Sequence, residues 1–479
     1  MKYVVVIDRG STNTKAVVFN AAGEEVLVSS RASPRPVSPR PGWWEQDMDL
    51  VWEAAAGAVR GIFEAGAVPP GDILGVYPVG QGNGLMPIDG GGKPLRMGIH
   101  SLDSRAGGIL GRWQADGRYA RALGTVGLPF SAGSPLPLLC WLRENAPEEF
   151  RAIGKALFVK DWIAYKLSGA VGTDFTDASG AGLMDLRRGA YARDVFDLLD
   201  AGFIQSKLPE IRRSHRRAGC VTRRAAAETG LPEGTPVLCG AHDIAACAFG
   251  AGAADPRQLV CAMGTWGMNL LPAKSLDGLP AALYHIAPGY YLTGAGDGNS
   301  GACLDFMLEM LGVPQYERAE AMIAGREPTD IVFHPFLFGA GAGFHGLRDW
   351  HGKEDLLLAV YEGIVMGHCL NIGAIPGSGR LECLWIAGGG SKSKVFGQLL
   401  ADIAGLAVKV PAAGEMTARG GALDALVGLG VFENHARAAI PAPVKALLRP
   451  DPRRREFYAR KFERFKATIK TNQQQGECP

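Results

Sequence analysis

The 479-residue chain has no Cys-x-x-Cys pair, and its nine cysteines are an odd number. That pattern indicates neither a disulfide framework nor a zinc site. Most of the cysteines stand in apolar runs, as reduced, buried thiols do. No apolar run of about 20 residues, the length that spans a bilayer, is evident in the sequence. Asp8 interrupts the first apolar run after only a few residues, so the N-terminus does not read as a secretory signal. The formal charge is only +2, too little for a whole-chain field that would attract nucleic acid. Two nucleotide-binding fingerprints are missing as well: there is no GxxxxGK[ST] loop, and no GxGxxG between a strand and a helix. These absences set the expectation of a cytoplasmic protein with no membrane and no nucleic acid among its partners.

What the chain has in quantity is glycine, 66 residues gathered in pairs and triplets where loops are expected, which suits a backbone that approaches ligands closely. Its length leads to an expectation of two or three domains. The opening stretch Tyr3-Val4-Val5-Val6-Ile7-Asp8 reads as a buried strand, and Gly10 and Asn13 mark a tight turn into a second strand, Ala16 to Asn20. Asp8 ends the first strand and Lys15 opens the second. Thr12 and its neighbours form a loop of small hydroxyl residues that can lay amides and hydroxyls around a phosphate, while the Asp holds Mg²⁺ through water. An ordinary hairpin with a polar tip fits these residues too.

Further along, Asp47 reads as the N-cap of a helix from Met48 to about Gly66. Ile73 to Val79 is a strand that ends in Gly80-Gln81-Gly82-Asn83-Gly84. Thr173 to Ser179 is polar and turn-rich. Thr235 to Asp243 is a strand delivering a carboxylate at its end, followed by a helix from Ile244. The segment from Gln258 to Leu271 repeats the opening pattern of strand, small turn (Gly264-Thr265-Trp266-Gly267) and strand. Leu384 to Ser393 then leads a strand into Gly388-Gly389-Gly390. At the C-terminus Tyr458, Phe462, Phe465 and Ile469 share one helical face, the mark of a docked helix with a basic outer side.

Three glycine/hydroxyl turns, each after a strand, match the actin/hexokinase-type arrangement. With Gly42-Trp43-Trp44-Glu45-Gln46-Asp47, Gly240-Ala241-His242-Asp243 and Ala342-Gly343-Phe344-His345-Gly346-Leu347 in the same order, the chain resembles the FGGY family of carbohydrate kinases over almost its whole length. The wording Gln81-Gly82-Asn83-Gly84, Ser101 to Arg105 and Gly264-Thr265-Trp266 is most similar to its L-xylulose/3-keto-L-gulonate-type members. Many relatives have Met-His where Gly82-Asn83 stand, Ser where Trp266 stands, and Gly-Glu-Arg near Phe338 to Gly341.

The resemblance implies an α/β fold of two actin/hexokinase-like (ribonuclease H-like) domains, 1–252 and 253–479, with a cleft between them and a glycine-rich hinge at Gly250 to Ala254. It implies ATP and Mg²⁺ as cofactors, a small ketose as substrate and a homodimer as candidate assembly. Asp243 would be the catalytic base and Asp8 the residue supporting the metal. Thr12, Lys15, Gly264 and Thr265 would lie near the phosphates, and Gly388, Gly389 and Ser393 on the adenosine side. Gln81, Asp103 and Arg105 would hold the sugar. Local alternatives stay open: Gln81 as a strand-end cap, Asp103 with Arg105 as an ion pair shaping its loop, Trp266 as core, and His242 as a packing residue. So do a polyol kinase of the same family, an actin- or chaperone-like switch ATPase, and an inactive sugar sensor.

Overall fold

The computed structural model describes residues 1–252, 255–337, 341–412 and 414–475. Ala253 and Ala254 of the expected hinge, Phe338 to Ala340 and Cys478 lie outside these. The chain forms two compact units: Met1–Gly250 with Ala273–Leu292 and Thr417–Ile440, and Ala251–Pro272 with Thr293–Met416 and Pro441–Pro479. Two segments from beyond residue 252 thus pack with the first unit, an exchange that no local pattern announces.

In the first unit, strands β1 (Tyr3–Arg9), β2 (Asn13–Asn20), β3 (Glu25–Ala32), β4 (Ile73–Gly80), β5 (Arg217–Cys220) and β6 (Pro236–Leu238) form a sheet in the order β5-β6-β4-β1-β2-β3, and β7 (Ala241–His242) also pairs with β4. β1 runs antiparallel to β2 and parallel to β4, and β6 and β7 are parallel to β4. Tyr3 to Ile7 are buried in a continuous run, as expected for a strand covered on both faces. One cover is the helix Met48–Glu64, which lays Trp52, Ala55, Val59 and Ile62 on Val5, Ile7 and Val18. Asp47 caps it as expected, accepting from the amides of Asp49 and Leu50 at 2.8 and 3.1 Å.

The helix Met416–Gly428 reaches the first unit through glycine. A Cβ on Gly420 would overlap the carbonyl oxygen of Ala246, and one on Gly421 would stand 3.0 Å from Tyr77 and Val79 of β4. Arg419 is buried beside them and donates to the carbonyls of Gly250 and Ile440. The stretch expected to be turn-rich contains a short helix, Phe175–Gly180. Its N-cap Asp174 accepts the amides of Thr176 and Asp177, and tertiary burial supplies the rest of its stability.

The second unit repeats the pattern of the first. Strands β8 (Gln258–Met263), β9 (Gly267–Ala273), β10 (Tyr291–Asp297), β11 (Cys383–Ala387), β12 (Ala407–Pro411) and β13 (Val444–Leu448) are ordered β10-β9-β8-β11-β12-β13. β8 again pairs antiparallel with the strand after it and parallel with the next strand inward, β11. Its core helix, Lys353–Ala374, corrects one expectation, because by length and composition it could cross a bilayer. Charged residues at its start and Glu362 within it hid the run in the sequence, and 72% of the apolar window is buried within the protein.

The terminal helix Pro452–Gln475 docks as expected, with Tyr458 and Phe465 buried in the second unit's core and Phe462 and Ile469 packed against it. Lys461 is buried on the same face. Its ammonium binds Glu362 and the carbonyl of Thr329, while the Tyr458 hydroxyl donates to Glu362 at 2.9 Å. Removing one partner of a buried ion pair costs about 3–5 kcal/mol, mainly through the charge left behind. Lys461→Met should therefore lower stability by that order in urea titrations, and adding Glu362→Gln should recover most of the loss. A single variant with the wild-type midpoint would show that this pair does not hold the helix.

Candidate active site

In the first unit the acidic groups stand at the carboxyl ends of parallel strands. Asp8 is in register with Val79 of β4, and on the other side of β4 Ala241 pairs with Val79 and His242 with Gly80. Asp243 follows directly and opens the helix Asp243–Gly250. Its carboxylate is 32% exposed. Burial raises its pKa, and the negative charge of Asp8 raises it further, against the pull of His242 and the Ile244 amide. Asp8 itself lies opposite Lys15 across the β1–β2 hairpin.

His242 packs beside Asp243 with Nε2 3.3 Å from a carboxylate oxygen. Its ring fills the space above two glycines: a Cβ on Gly82 would stand 2.5 Å from Nε2, and one on Gly180 2.8 Å from Nδ1. Nδ1 is buried without a hydrogen-bond partner, and burial lowers the ring's pKa, which favours neutral imidazole. The His242 amide donates to the Thr176 hydroxyl, which in turn donates to Asp174. Asp174, Asp161 and Asp177 surround the buried ammonium of Lys160. One cation cannot balance three carboxylates in an apolar setting, and burial drives Asp177 well above the usual range, toward its protonated form. Sequence reading missed this cluster, whose only local signal is acidic residues interleaved with apolar ones.

The turn after β1 is tied from behind. Ser33 donates its hydroxyl to the Gly10 carbonyl at 2.8 Å and its amide to the Thr12 carbonyl at 2.9 Å. Thr12 and Ser11 remain exposed at the tip. Gln81 lies 2.9 Å from Nε2 of His100, whose Nδ1 accepts the Leu102 amide. With Nδ1 accepting, neutral imidazole carries its proton on Nε2, a tautomer that assigns the Gln81 amide in the flipped orientation, its oxygen rather than its Nε2 atom turned to the ring at 2.9 Å. Burial and the nearby charge of Arg9 lower His100 to a pKa of about 4. His100 and the fully buried Arg9, which donates to Gln46 at 3.0 Å, are further residues that the sequence did not single out.

Asp103 and Arg105 form the local ion pair that the sequence left open. The carboxylate accepts from the Trp44 amide at 2.7 Å and from the Arg105 amide, Nε and Nη2 at 2.8–2.9 Å. Arg105 also binds Glu45 at 2.9 Å and lies 4.0 Å over the ring of Trp43. Both side chains are fully enclosed. The Arg105 Nη1 and the Oδ1 of Asn83, a residue with φ +63°, are nonetheless buried without partners.

In the second unit the Gly264–Gly267 turn is backed by the helix Gly301–Met310, whose first amides donate to the carbonyls of Gly264 and Thr265 at 2.9 and 3.1 Å. A side chain at Gly267 would collide with His368 and Ser300. Trp266 is 55% exposed, which removes the core alternative. Gly388 adopts φ +74° and packs on Met263 and Gly264, leaving Gly388 and Gly389 exposed at the strand end. Ser393 caps the helix Lys394–Ala404, its hydroxyl accepting from Val395 and Phe396.

Comparison with known proteins gives this arrangement a class. Residues 3–250 match the FGGY family of carbohydrate kinases, N-terminal domain, and residues 259–429 its C-terminal domain. The chain belongs to this family and is a carbohydrate kinase with its two-domain α/β fold. It is 31% identical to the L-xylulose/3-keto-L-gulonate kinase of Escherichia coli (strain K12), over 98% of this chain and 97% of that one. It is 26% identical to an autoinducer-2 kinase of Salmonella typhimurium (strain LT2), over 91% and 87% of the two chains. Among solved structures, the xylulose kinase of Rhodospirillum rubrum aligns with a TM-score of 0.86 and 26% identity, covering 98% of this chain and 99% of that one.

The packing of His242 over Gly82 makes a direct test of this geometry. Gly82→Ala should lower stability by about 1–3 kcal/mol, the usual cost of overpacking. His242→Ala in the same chain should remove that penalty, giving a clear coupling in a double-mutant cycle. Additive effects would mean that the two residues do not touch.

Proposed function

We propose that this kinase transfers the γ-phosphoryl group of ATP to a hydroxyl of a small ketose, a xylulose-like pentulose or keto-gulonate, with Asp243 as the general base. The observation that carries the reading is Asp243 itself, a partly exposed carboxylate at a strand end whose proton affinity is raised by burial and by Asp8. A base nearer the working pH transfers protons more effectively than an ordinary carboxylate. It would take the hydroxyl proton as the oxygen–phosphorus bond forms and the bond to ADP breaks. The full-length similarity to an L-xylulose/3-keto-L-gulonate kinase supports the ketose class.

Residues 1–252 would supply the sugar side and 253–479 the adenosine side. The two exposed turns, with Thr12 and Lys15 in one and Gly264 and Thr265 in the other, would receive phosphates, because the protein already occupies the opposing carbonyls. Gly388 and Gly389 would pass along adenosine, with Ser393 shaping that turn through its cap. Gln81 would face the sugar, and Asp103 with the enclosed Arg105 would act by holding Trp43 and Trp44 in place. Asp8 offers hard oxygen donors suited to Mg²⁺, and a cation there would offset its repulsion of Asp243. When bound, Mg²⁺ would neutralise charge building on the phosphates. Among the described residues no cysteine is joined in a disulfide, which suits a reducing cytoplasm.

Coupled ADP release across pentuloses, hexuloses, keto-gulonate and polyols tests the substrate class, and turnover confined to polyols would overturn it. Asp243→Asn should lower kcat by ~10²-fold or more with little change in sugar affinity. The base must be unprotonated, so kcat/KM should fall as pH drops through a pKa above the ordinary carboxylate value. A neutral His242 that turns an Nε2–H toward the carboxylate, 3.3 Å away, would lower that pKa, so His242→Leu should move the acid limb upward, and His242→Gln, which keeps an N–H, should move it less. An unmoved limb would separate His242 from the base. Asp8→Asn should raise the Mg²⁺ concentration needed for activity while sugar binding, read by calorimetry, is kept. Loss of sugar binding alone would place Asp8 elsewhere.

A further inference from the structure

Outside these residues, the first unit gathers His215, Asp424 and His435, whose candidate ligand atoms all lie within 4.8 Å of one another. They come from three separate stretches: the loop before β5, the helix Met416–Gly428, and the first residue of the helix His435–Ala438. Asp424 is fully buried, and His435 is nearly so. His435 Nε2 is 2.7 Å from Asp424 Oδ1, and His215 Nδ1 is 3.8 Å from the same oxygen. The other carboxylate oxygen accepts from the buried Tyr77 hydroxyl at 2.6 Å. The His215 and His435 rings meet edge to face at 4.8 Å, and Phe249 closes the apolar side.

A buried carboxylate needs a counter-charge. A proton on His435 would supply one, but it would leave His215 Nδ1 as it stands, buried without a hydrogen-bond partner and turned to the same oxygen. A cation shared by all three groups accounts for both. The donor set selects the ion: two imidazoles and one carboxylate suit Zn²⁺ or a neighbouring first-row ion. Arg213 and Arg216 flank His215, and their charge acts against any cation held by electrostatics alone. That disfavours Mg²⁺, whose ligands are all hard oxygens. Tyr77 plays the outer part that commonly orients a ligating carboxylate.

We propose that His215 Nδ1, Asp424 Oδ1 and His435 Nε2 bind a divalent transition metal ion, Zn²⁺ foremost, with water completing a tetrahedron. Its role is structural. It fastens the 417–440 segment to the layer of β4 and the 212–217 loop within the first unit, and it is independent of the sugar and nucleotide chemistry.

The test uses the full-length enzyme, stripped with chelator and titrated with Co²⁺ and then Zn²⁺ in the absence of nucleotide. Expected are one equivalent of metal by elemental analysis, the visible absorption of tetrahedral Co²⁺ displaced by Zn²⁺, and a Zn²⁺-dependent rise in Tm. Tyr77→Phe should weaken Co²⁺ binding by about 10–100-fold, as loss of an outer partner does, and His215→Gln by more than that. His215 lies partly at the surface, so its variant keeps the fold if Asp424→Asn does not. No visible band and no uptake would overturn the site in favour of a proton-bridged cluster. Unchanged binding in His215→Gln would also overturn it, since the ion would then sit elsewhere, for example on cysteine thiols.

Discussion

Backbone pairing along β4 is the constraint on which the first unit's chemistry depends. β1 and β7 lie on opposite sides of this strand, both parallel to it, and both meet it at Val79 and Gly80. Adjacent strands are about 4.8 Å apart, so the two flanking strands stand roughly 10 Å apart and end at the same edge. Asp8 and Asp243 are thereby held facing one region by hydrogen bonds that involve neither side chain. A slip of one residue in either pairing would turn a carboxylate to the other face. Gly240 makes the second pairing possible: at φ +81° its missing Cβ avoids the Pro78 carbonyl, and the chain leaves β6 and rejoins β4 as β7.

The two turns proposed to receive phosphates solve one electrostatic problem with different parts. A turn that exposes carbonyl oxygens repels an anion, while one that exposes amides and hydroxyls attracts it. In the first unit Ser33 occupies the carbonyls of Gly10 and Thr12, and in the second the amides opening Gly301–Met310 occupy those of Gly264 and Thr265. A serine on a neighbouring strand end and a helix N-terminus thus do the same work. The equivalence is visible only in three dimensions, because Ser33 and Gly301 stand far along the chain from the turns they support.

Local signals in the sequence carried the hairpins, the Asp47 cap, the strand ending at Asp243 and the docked C-terminal helix. Each depends on neighbouring residues or on one periodic face, so its pattern is readable in a short window. The exchange of 273–292 and 417–440 into the first unit was not legible, because it depends on Gly420 and Gly421 admitting a helix against residues far away in the chain. Lys160 with its three aspartates was missed for the same reason. Gln81, Asp103 and Arg105 were singled out together, but their partners were not legible. Nothing near Asp103 in sequence says that its carboxylate receives the Trp44 amide, or that the Arg105 guanidinium rests on Trp43. His100 and Arg9 were overlooked because an isolated polar residue beside apolar ones carries no periodic signal.

The volume around Asp243, the proposed base, is shared by a single pair of residues. Position 82 follows the proposed sugar ligand Gln81, and the His242 ring occupies the space that a side chain there would need. Glycine at 82 and histidine at 242 are therefore one solution to filling that space, and a large residue at 82 would require a smaller one beside Asp243. The two solutions differ in chemistry as well as shape. A side chain extending from 82 presents its tip from the sugar-facing loop, whereas the imidazole comes from the base's own strand and holds Nε2 3.3 Å from the carboxylate. Its Nδ1 stays buried and unpaired, a cost the fold sustains only if something else at the site depends on the ring. In the proposed mechanism that dependence is on Asp243: an Nε2–H of the neutral ring, 3.3 Å from the carboxylate, would lower the proton affinity that burial and Asp8 raise, and the ring would wall the proposed base against the sugar loop. The departure at Gly82 and the histidine before Asp243 then have one physical cause, the packing of a neutral ring between two glycines.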